Sequence, residues 1–149
     1  MLSESIEVDD QEEAFVRSFI CEEKRERYLG FIASPKNRVK FLKDFYHDLL
    51  PAICCPLMER VPNRDRKVDF VVQKLKEKGS KAEVYLISPN DQLDQRWLSL
   101  EEAITVMFGD GMGSLACCLK GELAFFHSET SVWILHRPKP KARTAPAQW

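Results

Sequence analysis

The chain has 149 residues, 44% of them hydrophobic and 30% charged, which is the size and make-up of one folded domain rather than of a disordered, collagenous or disulfide-stapled chain. No apolar run approaches the roughly twenty residues that span a bilayer, and Met1 to Glu13 is acidic, unlike the basic and then apolar opening of an export signal. The net charge of −1 hides segregation: residues 31–81 carry 12 basic and 6 acidic side chains between two acidic flanks.

Asp9 and Asp10 precede a helical stripe of Phe15, Val16, Phe19 and Ile20, so a first helix is expected from there, with a break near Cys21 or Gly30. Ser34-Pro35 is a helix start, because a Ser hydroxyl satisfies free backbone N–H groups and Pro is tolerated at the first helical position. The stripe expected on that helix is Val39, Leu42, Phe45 or Tyr46 and Leu49, with Lys36, Arg38, Lys40 and Lys43 on the rest of the surface. Pro51, Pro56 and Pro62 make Ala52 to Val61 a connector with at most a short helical turn. A third helix begins at Asn63 or Asp65, carries Val68, Val71, Val72 and Leu75 on one face, and ends at Gly79.

From Ala82 the period changes. Glu83 to Ile87 reads as a strand closed by the turn Ser88-Pro89-Asn90-Asp91, and Trp97 falls in the following connector. Ser99-Leu100-Glu101-Glu102 has the form of a capping box for a short helix carrying Ala103, Ile104, Met107 and Phe108. That helix leads into a glycine-rich loop, Gly109 to Ser114. Ser114 to Leu119, Glu122 to His127 and Ser131 to His136 then form a three-stranded meander. If Lys120-Gly121 is a two-residue turn, Ser114 opposes His127, and His127 in turn opposes Val132.

In this register Ala116, Cys118, Leu123, Phe125, Val132 and Ile134 share one face, and Leu115, Cys117, Leu119, Ala124, Phe126, Trp133 and Leu135 the other. Both faces are apolar, so each requires a cover, either helices on both or helices on one and a partner on the other. The expected fold is therefore α+β, three N-terminal helices followed by β-α-βββ with a small, mainly antiparallel sheet. It occupies residues 1–137 as one globular domain, and residues 138–149, rich in Pro and Lys, form a flexible tail.

Three constellations carry possible chemistry. Gly111 and Gly113 offer side-chain-free N–H groups as ligand binders, but the loop runs from helix to strand, so it is the partially negative helix end that faces it, and Asp110 adds a further negative charge. Ser114, His127 and Asp110 are the residue types of a nucleophilic triad, with Ser114 and His127 also candidate ligand contacts, yet no nucleophile elbow accompanies them. The five cysteines, Cys21, Cys54, Cys55, Cys117 and Cys118, are odd in number and lie partly in adjacent pairs, which reads as reduced thiols in the cytoplasm. Adjacent cysteines on a strand point to opposite faces and do not share an ion, so no metal and no cofactor is expected.

The basic residues of 36–81 would suit a phosphate backbone, but interspersed acids and the lack of a recognised reading motif disfavour nucleic acid. With no complete catalytic set and two apolar sheet faces, the sequence favours a small cytoplasmic protein-interaction or regulatory domain of the inhibitor, antitoxin or immunity kind. Its partner would be another protein or a second copy of itself, with no membrane. The alternative is a ligand-binding domain or enzyme centred on the Gly109–Ser114 loop and His127.

Overall fold

A computed structural model describes residues 2–47, 49–54, 57–110, 113–128 and 130–137. In chain order these form α1 (Leu2–Phe19), α2 (Glu22–Ile32), α3 (Pro35–His47), α4 (Leu49–Ala52), β1 (Leu57–Arg60), a 3-10 turn (Asn63–Asp65), α5 (Val68–Glu77), β2 (Glu83–Ile87), β3 (Trp97–Ser99), α6 (Leu100–Asp110), β4 (Ser114–Leu119), β5 (Leu123–His127) and β6 (Val132–His136). The six strands make one antiparallel sheet in the order β1-β6-β5-β4-β2-β3. The fold is α+β, with N-terminal helices followed by strands. No helix among the described residues is long and apolar enough to cross a membrane.

Local chemistry sets the helix ends. The Ser34 hydroxyl accepts from the Asn37 N–H, 3.3 Å, and the Ser99 hydroxyl from the Glu102 N–H, 3.1 Å, so both expected caps form. At the end of α5 the Ser80 N–H reaches back to the Leu75 carbonyl and the Gly79 N–H to that of Lys76, the two bonds of a Schellman motif. Gly79 sits at φ +106°, where an L side chain is strained.

Period-two alternation sends the strand side chains to two separate cores. On one face Val84, Leu86, Ala116, Cys118, Phe125 and Ile134 pack beneath Val71 and Leu75 of α5 and Ile104 and Met107 of α6. On the other, Tyr85, Ile87, Leu115, Cys117, Phe126 and Leu135 pack beneath Phe15, Val16 and Phe19 of α1, Tyr28 of α2, Phe41 of α3 and Leu49 of α4. Each fully buried Phe contributes about 1.5–3 kcal/mol of transfer free energy. Helices therefore cover both apolar faces, and the sheet faces that hinted at a partner are occupied by the chain itself.

Several expectations are corrected. Helix α1 begins at Leu2, two turns before Asp9. The Pro-flanked connector contains β1, which pairs with β6, and Trp97 lies in β3 rather than in a connector. The β4–β5 turn has three residues, with Gly121 at φ +69° and Leu119 opposite Leu123. The irregularity at Cys118 shifts the register by one, so Leu119 packs against the α5–α6 core instead of beside Cys117. Pairing of Ser114 with His127, and of His127 with Val132, is as expected.

On α3 the buried face runs through Arg38 and Phe41. Val39, expected in the core, is 52% exposed. The cysteines are not all reduced, because Cys21 and Cys54 form a disulfide. The Cys21 N–H donates to the Ala52 carbonyl, 2.8 Å, and the Cys54 N–H to that of Phe19, 2.7 Å, and this short ladder brings the two Cα atoms to 4.9 Å. A disulfide gives no support to the expected reducing compartment. Cys55, Gly111, Met112 and the 138–149 tail lie outside the described residues.

Replacing Gly79 with Ala is expected to cost about 1–3 kcal/mol in urea unfolding, because the turn holds an L residue at positive φ. Gly30→Ala, in the interior of α2 with open space around it, should instead stabilise by about 0.5–1 kcal/mol. A loss at both positions, or at neither, would contradict the assigned backbone.

Candidate functional site

The loop between β2 and β3 is built by side chains that imitate backbone. The Ser88 hydroxyl accepts from the Asn90 N–H and the Asn90 carbonyl oxygen Oδ1 from the Gln92 N–H. Asn90 Nδ2 donates to Asp110 Oδ1, 2.8 Å, tying the loop to the end of α6. Thus constrained, the chain turns Asp94 inward, where Oδ1 accepts the Ser88 N–H at 3.0 Å. Gln95 follows at φ +62°, an uncommon conformation for a non-glycine residue.

Asp94 meets Arg38 from α3, which also meets Glu12 from α1. Arg38 Nε and Nη2 donate to the two Glu12 oxygens at 3.0 and 2.6 Å, and Nη1 and Nη2 donate to the two oxygens of Asp94, the Nη2 bond being 2.9 Å. Both pairs are two-pronged, the geometry for which a guanidinium is suited. Tyr85 of β2 adds its hydroxyl to Glu12 Oε2 at 2.7 Å. Glu12 is only 3% exposed, so this is an ion cluster inside the protein.

Burial alone would lower the pKa of Arg38, but the hydrogen bonds to Asp94 and Glu12 outweigh it and raise it further above the ordinary arginine value. Burial, and then the adjacent Glu12 carboxylate, push the Tyr85 phenol up as well. Both groups hold their protons throughout the physiological range. The cluster therefore clamps α1, α3, β2 and the β2–β3 loop together and does not exchange protons through Arg38 or Tyr85. A cleft of about 370 Å³ opens beside it, lined by Glu12, Ile32, Pro35, Arg38, Val39 and Gln95 among others.

The expected triad residues are arranged differently from a catalytic set. Ser114 is fully buried, with its hydroxyl 3.1 Å from that of Ser88, and Asp110 holds Asn90. His127 packs edge-on to Phe108 at 5.2 Å, and its Nδ1 lies 2.8 Å from the Ser128 carbonyl. A carbonyl only accepts, so Nδ1 carries the proton and Nε2 keeps a lone pair. Burial lowers the pKa of His127, with the Ser128 carbonyl opposing, and the imidazole is neutral at pH 7. Helix α6 runs through Gly109 to Asp110, and Gly113 is buried.

The described cysteine thiols on β4 are shielded. Burial pushes Cys117 well above the ordinary thiol value and Cys118 up to about 12. Among the described residues no cluster of three or more His, Cys, Asp and Glu residues has the spacing to hold a metal ion. The basic segment 36–81 is partly neutralised internally. Lys74 and Lys78 approach Glu59, and Lys76 bonds Glu101 at 2.9 Å.

A second opening lies at the other end of β2. A groove of about 650 Å³ is bounded by Gln11 of α1, Lys81 to Glu83, Trp97 of edge strand β3, and Cys117 to Lys120. Trp97 is 40% exposed and leans on the Tyr85 ring, with centroids 5.4 Å apart. Gln11 Oε1 is buried with no hydrogen-bond partner among the described residues. An unsatisfied buried acceptor costs about 1–3 kcal/mol.

Sequence reasoning missed Glu12, Arg38, Tyr85 and Asp94 as a unit. The available signal was an α3 stripe read as Arg38, Phe41 and Leu42, which requires admitting a charge to a buried face. Comparison with known proteins adds no assignment: no family model, curated protein or solved structure matches the chain.

Tyr85→Phe is expected to lower stability by about 1.5–3 kcal/mol in urea unfolding, since it removes a hydrogen bond to a buried charged group. A loss below about 0.5 kcal/mol would mean that the phenol is not engaged. A histidine whose folded pKa is depressed contributes its full stability above its unfolded value of 6.5 and loses it as pH falls from there toward the folded value. His127→Asn should therefore flatten the decline in stability below pH 6.5, read from unfolding curves at stepped pH. An unchanged slope would show that His127 does not drive it.

Proposed function

We propose that this protein is a small protein-interaction or regulatory domain, of the inhibitor, antitoxin or immunity kind, and that it seats an acidic segment of a partner protein in the groove beside Trp97. The observation that carries this reading is the half-exposed Trp97 on the rim of an open groove. Large aromatic anchors concentrate binding energy at interfaces. Lys81 and Lys120 outnumber Glu83 around the opening, so an acidic segment meets the more favourable field.

The alternative is a small-ligand site at the Gly109–Ser114 loop with His127 as its base. Its support is the neutral imidazole with a lone pair on Nε2. The buried Ser114 hydroxyl leaves that arrangement without an accessible nucleophile, which favours the interaction reading.

Native mass spectrometry of the protein isolated from its own cells is expected to show a stoichiometric protein complex. Trp97→Ala should weaken that complex about thirtyfold, the equivalent of a 2 kcal/mol anchor, and His127→Ala should leave it unchanged. Recovery of bare monomer alone, or of a retained small molecule, would contradict the proposal.

A further inference from the structure

We propose that the Cys21–Cys54 disulfide is a thiol–disulfide exchange site that a dithiol reductant opens in the folded protein, releasing Cys21 as a stabilised thiolate. Cys21 is the N-cap residue of α2, a helix of 11 residues, and its side chain makes no capping hydrogen bond to a backbone N–H. The free N–H groups and positive dipole end of the helix favour a negative charge there. Independently, Arg25 Nη2 donates to the Ile20 carbonyl at 3.2 Å, which sets the guanidinium against the peptide joining Ile20 to Cys21. Arg25 Nε is buried with no hydrogen-bond partner among the described residues. A thiolate at Cys21 would place a negative charge on the residue that follows the carbonyl held by Arg25.

Charged groups near the pair also include Glu22 and Glu23 in the first turn of α2, both exposed, and Arg137, whose Nη2 lies 3.5 Å from the Cys54 carbonyl. The glutamates oppose the thiolate from water, while Arg25 supports it from a partly buried position. The two sulfur-bearing residues also differ in access. Cys54 is exposed and Cys21 is 8% exposed, which favours attack on the Cys54 side of the bond.

The exchange is balanced by the reductant. One thiolate of the dithiol attacks the Cys54 sulfur, the Cys21–Cys54 bond breaks, and Cys21 departs with the electron pair as thiolate. The second thiol of the reductant, deprotonated by solvent, attacks its own sulfur in the mixed disulfide. Cys54 leaves as a thiolate that takes up a proton, and the reductant ends as a cyclic or protein disulfide. Two electrons pass from the dithiol to the cysteine pair. Once opened, the junction of α1 and α2 keeps the Ile20–Ile53 bridge with its backbone bonds to the segment before β1 and loses its covalent tie to that segment.

The test uses the full chain reduced with dithiothreitol, together with Cys54→Ser, in which Cys21 is free without a reductant. Alkylation of Cys21 by iodoacetamide at pH 6, followed by peptide mass spectrometry, is expected to be at least about tenfold faster in folded protein than in urea, because the thiolate fraction is higher. Arg25→Gln should remove most of that ratio. Slower alkylation in the folded protein than in urea would overturn the proposal, as would reduction that proceeds only after the chain is unfolded. If Cys54→Ser does not fold, the reduced wild-type chain decides, and its unfolding on reduction counts against the site.

Discussion

Arg38 is the point on which the N-terminal half of the molecule is hung. A single guanidinium takes Glu12 from α1 and Asp94 from the β2–β3 loop, and Glu12 in turn takes the hydroxyl of Tyr85 from the middle of the sheet. Bringing these charges out of water costs several kcal/mol per ion, recovered only when geometry is good and the remaining oxygens have donors. Here Glu12 also accepts from Tyr85, and Asp94 also accepts the Ser88 N–H. The cluster thus ties α1, α3 and the β2–β3 loop to the sheet through charge-assisted hydrogen bonds.

The apolar architecture was legible because it is periodic. Two-residue alternation on β4, β5 and β6, with turns at Gly121 and Thr130, was enough to pair Ser114 with His127, and the 3.6-residue stripes of α1, α5 and α6 marked their buried faces. What failed was non-periodic or remote. Strand β1 is four residues beside a Pro-rich connector and is stabilised by β6, some 70 residues away in the chain. Leu119 changed faces because of the extra residue at Cys118, and the three-residue turn then restores the expected faces of β5. Cys21 and Cys54 are 33 positions apart in the sequence and are brought together beside the Ile20–Ile53 bridge. Arg38 was assigned to the surface by its charge, although the buried position is determined by partners on two other elements.

The same asymmetry holds for the candidate sites. The glycine loop and His127 were visible as residue types, whereas the groove beside Trp97 exists only once α1, β3 and the end of β4 are brought together. Two of its features adjoin the ion cluster directly. Gln11 precedes Glu12 on α1, and Trp97 rests on the Tyr85 ring whose hydroxyl holds Glu12. A segment seated in the groove, as we propose, would therefore touch residues next to the clamp.

The central claim is that Arg38 organises this packing rather than decorating it. Equilibrium urea unfolding of Arg38→Met compared with the wild-type protein is the direct measurement. If both carboxylates depend on the guanidinium, the variant loses about 3–5 kcal/mol because the buried Glu12 and the part-buried Asp94 are left without a counter-charge. A loss of less than about 1 kcal/mol, the value of a solvent-exposed ion pair, would contradict the account.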